Sequence, residues 1–418
     1  MAKKSVYASI EIADRDVRLV VVEMFNNRSN VLRVERADHS GITKGKITDE
    51  KSVVTAIEQV ITQAQTALGY HIERVLLALT ARGLKTVGTD VHVEIDDGTH
   101  TVRRYHLQQG LKTAMSAAQF DDLILVNVNR ITYSIDGKQT GEEPLGFDTP
   151  AFDMHVDLLF ADKETVFSYV KAVEKAGLKV MDIAIDQYAA AMETGSLIQS
   201  TDTPVIQIDL EADHTSLALL NKQKIVFCAV TDEGYRSFIA ELREKYGLSE
   251  GASWRLLENL FDANEEEGDD SVIYIEQQEE RRVEITKKEL AGSVLPRIRS
   301  WIAEINAACS GILEKKNARY RISGEGSSIP VLKKMENAFN APAEIYTVTS
   351  IGARNGAFVV PLGMPYAWET INRIKNSDTT SVNNNELEES IETITRYAKD
   401  QEGGFTKKLK RVMLTSKD

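Results

Sequence analysis

Residues 204–220 read PVIQIDLEADHTSLALL, and the fold turns on this stretch. Val205, Ile206 and Ile208 run into Asp209 and a polar turn, and Leu217, Ala218, Leu219 and Leu220 run out of it. The pattern predicts two buried strands around a short hairpin. Such a hairpin, with a carboxylate at the strand end, holds a phosphate when glycines let its backbone close in. Asp209 is in place, but Glu211, Ala212 and Asp213 fill the turn, followed by His214, Thr215 and Ser216.

Upstream, SVYASIEIA, a turn at Asp14 to Asp16, VRLVVVEM, a second turn and VLRVERA read as a three-strand meander. A helix follows, starting at Asp49, with Val54, Ile57, Val60, Ile61, Ala64 and Leu68 at three- and four-residue intervals, and then the strand VLLALTA. From 83 to 160 the pattern changes to short strands and one helix: a strand 86–95, a helix 107–118, ILVNVNRITYSID as a strand or strand pair, and AFDMHVDLLFA. The helix KETVFSYVKAVEKAGL, the strand VMDIAI and a helix 187–197 then lead to the opening hairpin. Beyond it lie the strand IVFCAV, helices 238–246 and 253–260, a hairpin 272–285, and a long helix 287–314 in which Pro296 predicts a kink or interruption. YRISGEGSSIPVLKKMENAFN reads as strand, glycine turn and helix, and SDTTSVNNN as a linker.

With 418 residues, 42% hydrophobic and 27% charged, the chain is long enough for two or three domains. A formal net charge of −13 argues against nucleic acid as a partner, because polyanion binding needs a basic surface. Cys228 and Cys309 both stand in apolar runs and read as reduced core thiols. No stretch suits a signal peptide or a membrane-spanning helix, so the expected place is the cytoplasm.

Three segments carry a family resemblance: GITKGKITDEKSVVTAIEQVITQAQ, VEKAGLKVMDIAIDQYAAA, and the region around Tyr133, Asp136, Gly137, Pro144 and Gly146. In order and spacing they resemble FtsA, the actin-like family of bacterial cell-division proteins. The resemblance implies an α/β, actin-like (ribonuclease-H-like) two-lobed ATPase fold with a small α+β subdomain inserted in the first lobe. The corresponding segments are 1–82 and 161–203 for the split first-lobe core and 83–160 for the insertion. They continue with 204–348 for the second lobe (helical part about 234–300), 349–374 for a return to the first lobe, 375–402 for a linker and 403–418 for an amphipathic membrane helix. The family also implies a cleft for ATP and Mg, filament formation with copies of itself, and binding of the C-terminal peptide of a tubulin-like FtsZ polymer through the second lobe.

In the family's nucleotide turns the matching positions here are Glu11, Ile12, Ala13 and Asp14 in the first, and Asp209, His214 and Thr215 in the second, with Asp209 the candidate Mg contact. The adenosine-side turn is ISGEGSSIP, with Gly324, Glu325 and Gly326. It reads equally as a ligand-free strand-to-helix turn. Ala13 carries a side chain where close backbone approach is wanted, and Asp14, Glu211 and Asp213 set carboxylates where phosphate oxygens belong. The expected nucleotide is therefore a weak structural ligand or absent, and no residue is singled out as catalytic. His214 reads as a hydrogen-bonded turn residue, and Glu265, Glu266, Glu267, Asp269 and Asp270 as a solvated loop.

The C-terminus GGFTKKLKRVMLTSKD places Phe405, Leu409, Val412 and Met413 on one helical face and Lys407, Lys408, Lys410 and Arg411 on the rest. This is the make-up of a helix lying in an anionic membrane interface; a docked terminal helix or a frayed tail is the alternative. One such helix binds weakly, so stable attachment needs several acting together on a polymer. The sequence thus points to an adaptor tethering an FtsZ-like polymer to the cytoplasmic face of the membrane at the division site. The rivals are a PilM-like scaffold of a pilus or envelope complex and an active actin-like ATPase.

Overall fold

A computed structural model of the protein describes residues 4–258, 270–278, 281–314 and 317–383. The first lobe opens with the antiparallel meander β1 (Ser5–Ile12), β2 (Asp16–Phe25) and β3 (Arg28–Asp38). A two-residue hairpin, β4 (Ile42–Thr43) and β5 (Lys46–Ile47), leads to α1 (Glu50–Leu68). Asp49 caps α1 by accepting from the Ser52 amide at 3.1 Å, and Val53, Ile57, Val60 and Ile61 bury one face against the sheet. Strand β6 (Arg74–Leu79) then pairs parallel to β1.

The insertion consists of β7 (Lys85–Glu94), α2 (Arg104–Ala117), β8 (Leu123–Ile135), β9 (Lys138–Thr140) and β10 (Ala151–Asp162). Its strands form an antiparallel sheet in the order β7-β10-β8-β9, with its own core around Leu107, Tyr133, Phe152 and Met154. The segment ILVNVNRITYSI is one 13-residue strand, which pairs with β10 across two register shifts. The first lobe resumes with α3 (Lys163–Lys175), β11 (Lys179–Ile185), α4 (Asp186–Glu193) and α5 (Ser196–Gln199). The single helix expected over 187–197 is two, because the chain turns at Gly195 with φ 70°.

The second lobe repeats the plan. Strands β12 (Val205–Leu210), β13 (Thr215–Asn221) and β14 (Lys224–Thr231) form an antiparallel meander. After α6 (Ala240–Tyr246), α7 (Glu250–Glu258), the ribbon β15 (Val272–Gln278) and β16 (Arg281–Thr286), and α8 (Lys287–Leu313), strand β17 (Arg319–Ser323) pairs parallel to β12. Helix α8 runs through Pro296 without interruption. Gly292, whose carbonyl the missing amide would have met, is exposed, so water can take that carbonyl. Helix α9 (Pro330–Lys334), β18 (Ala343–Ile345) and α10 (Val359–Lys375) complete the chain, α10 returning to pack on α4 and β1.

The two main sheets have matching orders, β11-β6-β1-β2-β3 and β18-β17-β12-β13-β14. Each is a meander whose first strand is central and parallel to the next. The β1–β2 turn and the β12–β13 turn therefore occupy equivalent places and face each other between the lobes. Beyond α10, the linker-like stretch is not free at its start: Ser381 accepts from the Ala8 amide at 2.8 Å, and Val382 bridges Ile72. Thr380, Ser381 and Val382 are buried because these hydroxyls and backbone groups satisfy the edge they cover. Residues 403–418, expected from sequence to be an amphipathic helix, and residues 259–269, which carry most of the acidic run, lie outside the described residues.

Candidate functional site

The site begins with Arg18 on β2, whose side chain is 2% exposed. It sits between Val17 and Leu19 in a mostly apolar strand and points into the space between the lobes, where it meets Glu211 and Glu325. Its Nη2 donates to Glu211 Oε2 at 2.7 Å and lies 3.4 Å from Glu325 Oε2. Nη1 donates to the Ala357 carbonyl at 3.1 Å and faces Glu11 Oε2 at 3.4 Å, and Nε faces Asp16 Oδ2 at 3.1 Å. One guanidinium thus meets carboxylates from both hairpins and from the turn after β17, which its planar fork of five donors suits.

A second arginine completes the layer. Arg36 on β3 reaches Glu325 Oε1 at 2.5 Å and pairs with Asp16. Tyr235 donates its hydroxyl to Glu325 Oε2 at 2.8 Å, and the Glu325 amide donates to Glu211 Oε1 at 3.0 Å. Nearer the turn tips, His214 Nδ1 lies 2.5 Å from Asp14 Oδ2, and Arg15 Nε donates to Asp213 Oδ2 at 2.5 Å. Arg236 holds Asp213 from the other side at 2.6 Å. The carboxylates expected to repel a phosphate are thus neutralised by the chain's own cations.

Burial sets the protonation of the rest. It raises Asp186 to about 7, helped by the charge of Asp209. Asp209 is likewise raised to about 7 by burial and by Glu211. Burial also carries Glu11 well above the ordinary carboxylate range, against the pull of Arg18. Burial would lower His214, but its bond to Asp14 and the surrounding carboxylates raise it to about 9, so it is an imidazolium at neutral pH. Asp14 and Glu325 resist the upward push of burial and stay below their usual values, held by His214 in one case and by Arg18 and Arg36 in the other.

The residues present do not fit a nucleotide triphosphate. The Ala13 amide donates to the Asp16 carbonyl at 2.9 Å and the Glu211 amide to the His214 carbonyl at 3.0 Å, so each turn spends these donors on itself. Thr215 is fully buried, donating to the Glu233 carbonyl at 2.7 Å and accepting from Trp301 Nε1 at 3.1 Å. What space remains, among Glu11, Asp14, Thr80, Tyr169, Asp186 and Asp209, is a cavity of about 30 Å³. That suits one or two waters, whereas small-molecule sites run to about 300–1,000 Å³. Gly324 and Gly326 serve packing. A Cβ on Gly324, at φ 87°, would stand 2.7 Å from the Leu210 carbonyl oxygen, and one on Gly326 would stand 2.5 Å from Leu210 Cγ. Asp209 accepts from Ser323 Oγ at 3.1 Å, and among the described residues no group of three or more His, Cys, Asp or Glu side chains is arranged to hold a metal ion.

Of the residues singled out in the sequence, the structure brings Asp14, Asp209, His214 and Glu325 into one ionic layer and leaves Ala13, Thr215, Gly324 and Gly326 as its frame. Reading the sequence missed Arg18, Arg36, Asp16 and Tyr235. The available signal was an arginine standing among the apolar residues of VRLVVV.

The fold is that of the actin-like ATPases. In the PilM–PilN type IV pilus biogenesis complex, one chain superposes with a TM-score of 0.58 at 14% identity, covering 87% of this chain and 98% of that one. No family profile matches the chain. Among curated proteins, it is similar to the cell division protein FtsA of Streptococcus pneumoniae, 22% identical over 362 residues, covering 86% of this chain and 79% of that protein. It is also similar to FtsA of Enterococcus hirae, 23% identical over 363 residues, with 86% and 82% covered. No helix among the described residues is long and apolar enough to cross a membrane.

Proposed function

We propose that this protein is an FtsA-like adaptor of cell division. It links an FtsZ-like polymer to the cytoplasmic face of the membrane through the amphipathic helix 403–418 and assembles with copies of itself. The observation that carries this reading is the similarity to FtsA proteins over 86% of the chain. The basic tail, with five basic residues against one acidic from Phe405 onward, supplies the membrane contact. In this reading the lobes are held by the Arg18 layer in place of ATP and Mg, and nucleotide turnover is not part of the work. Co-sedimentation with anionic liposomes, with and without residues 404–418, tests the tether: binding that survives the truncation removes it.

A PilM-like scaffold is the second reading, favoured by the superposition over 98% of a PilM chain. Capture by the C-terminal peptide of FtsZ separates the two, since a scaffold of a pilus or envelope complex has no use for that peptide. An active ATPase would release phosphate in a manner dependent on Asp209.

A further inference from the structure

Between the insertion and the first lobe lies a groove of about 450 Å³, floored by Met115, Leu125, Ile131, Tyr133, Tyr188 and Ile371. Its lining carries charge of both signs. Arg130 has a buried Nη1 without a partner, and burial lowers its pKa. Arg373 stands exposed in the last turn of α10, while Glu142 and Glu143 lie on the loop after β9. An open apolar floor beside a half-buried guanidinium whose inner nitrogen lacks a hydrogen-bond partner is costly unless something covers it.

The chain itself carries a matching segment directly beyond Asn383. Residues 385–399 read NELEESIETITRYAK. In sequence, Asn385 followed by Glu388 has the spacing of a capping pair, the early residues Glu386, Glu388 and Glu389 suit a helix N-terminus, and Arg396 and Lys399 suit the other end. Leu387, Ile391, Ile394 and Ala398 recur at helical spacing as one apolar stripe, and Glu388 and Glu392 share one flank of it.

Reach agrees. Val382 bridges Ile72, four positions before Leu76, whose partner on β11 is Asp182 in the groove wall. That is roughly 13 Å along the strand, and the five steps from Val382 to Leu387 extend to about 17 Å.

We propose that residues 386–399 of this same chain occupy the groove, with the stripe on its apolar floor, Glu388 and Glu392 toward Arg130 and Arg373, and the basic end toward Glu142 and Glu143. The segment regarded as a linker is then a built-in occupant that any other ligand of the groove must displace. It also fixes where the membrane helix departs, since Lys399 is only six residues before Phe405. That last consequence rests on the tether reading, but the docking does not, and failure of one leaves the other standing.

The test is hydrogen–deuterium exchange on the full chain at two protein concentrations well apart. In Ile391→Asp/Ile394→Asp, groove segments 123–133 and 367–375 are expected to exchange about tenfold faster than in the unsubstituted chain, equally at both concentrations. Unchanged exchange overturns the proposal. A difference seen only at the higher concentration also overturns it, because the occupant would then be a second copy. Arg130→Glu should release the segment, and Arg130→Glu with Glu388→Lys/Glu392→Lys should restore protection. If Arg130 acts only within the insertion, the charge reversal restores nothing.

Discussion

Arg18 of the first lobe donates to Glu211 of the second at 2.7 Å, with both side chains almost wholly buried. The link between the lobes at this point is therefore a side chain, fixed to the chain by its own backbone. The matched hairpins present their turns across the cleft, and the charges that meet between them belong to the protein itself.

Removing the bridge should therefore cost more than an ordinary ion pair. Arg18→Ala leaves Glu11, Asp16, Glu211 and Glu325 without their shared cation, and breaking a buried pair by deleting one partner costs about 3–5 kcal/mol. Arg18→Lys should recover only part, because an ammonium lacks the planar fork. Denaturant melts of the three proteins measure this, and equal midpoints would show that the layer contributes nothing to stability.

The pH dependence has a definite sign. Asp186 and Asp209, raised to about 7, favour the folded state while protonated, and that contribution is lost as pH rises from about 4 through 7. His214, raised to about 9, contributes fully below about 6.5 and loses its contribution as pH rises through 9. Stability should therefore fall between pH 5.5 and 9.5, and Asp209→Asn should flatten the part below pH 7. A midpoint that climbs with pH over this window contradicts the assigned layer.

The turn-to-turn contact can be isolated. For Asp14→Asn and His214→Ala, a double-mutant cycle is expected to give a coupling of about 1–3 kcal/mol, since the two side chains meet at 2.5 Å with little solvent access. Additive single effects would mean that the two turns do not interact.

Magnesium–ATP should neither release heat in calorimetry nor raise the melting temperature. A ligand at about 100 times its Kd would stabilise by roughly 2.7 kcal/mol, well within detection. Such a rise would return nucleotide to the cleft and require the Arg18 layer to open.

Gly324 and Gly146 form a controlled pair. Both have positive φ, 87° and 85°, but a Cβ on Gly146 meets nothing within 4 Å, whereas on Gly324 it meets the Leu210 backbone and Asp209. Gly324 also lies at ψ 175°, a region almost confined to glycine. Gly324→Ala should be the more destabilising by about 1–3 kcal/mol, and equal costs would show that the turn has room to shift.

Much of the architecture was legible because it rests on local periodicity. The apolar runs around Asp209, the meander from Ser5 to Asp38, the capped helix at Asp49 and the change of pattern after residue 82 each announce an element within a few residues of themselves. The break at Gly195 and the continuity through Pro296 were not legible. They depend on what packs or dissolves around one backbone group.

The cleft divides in the same way. Sequence alone determined that its turns carry acids in place of glycines, which weighed against a bare phosphate cradle before any geometry. It could not determine that those acids are paired, because Arg18 is 193 residues from Glu211 and 307 from Glu325. A carboxylate's local neighbours reveal its charge and its place in an element. Whether that charge repels a ligand or closes a cleft depends on which distant cation the fold delivers, and only the packing of the two lobes decided that.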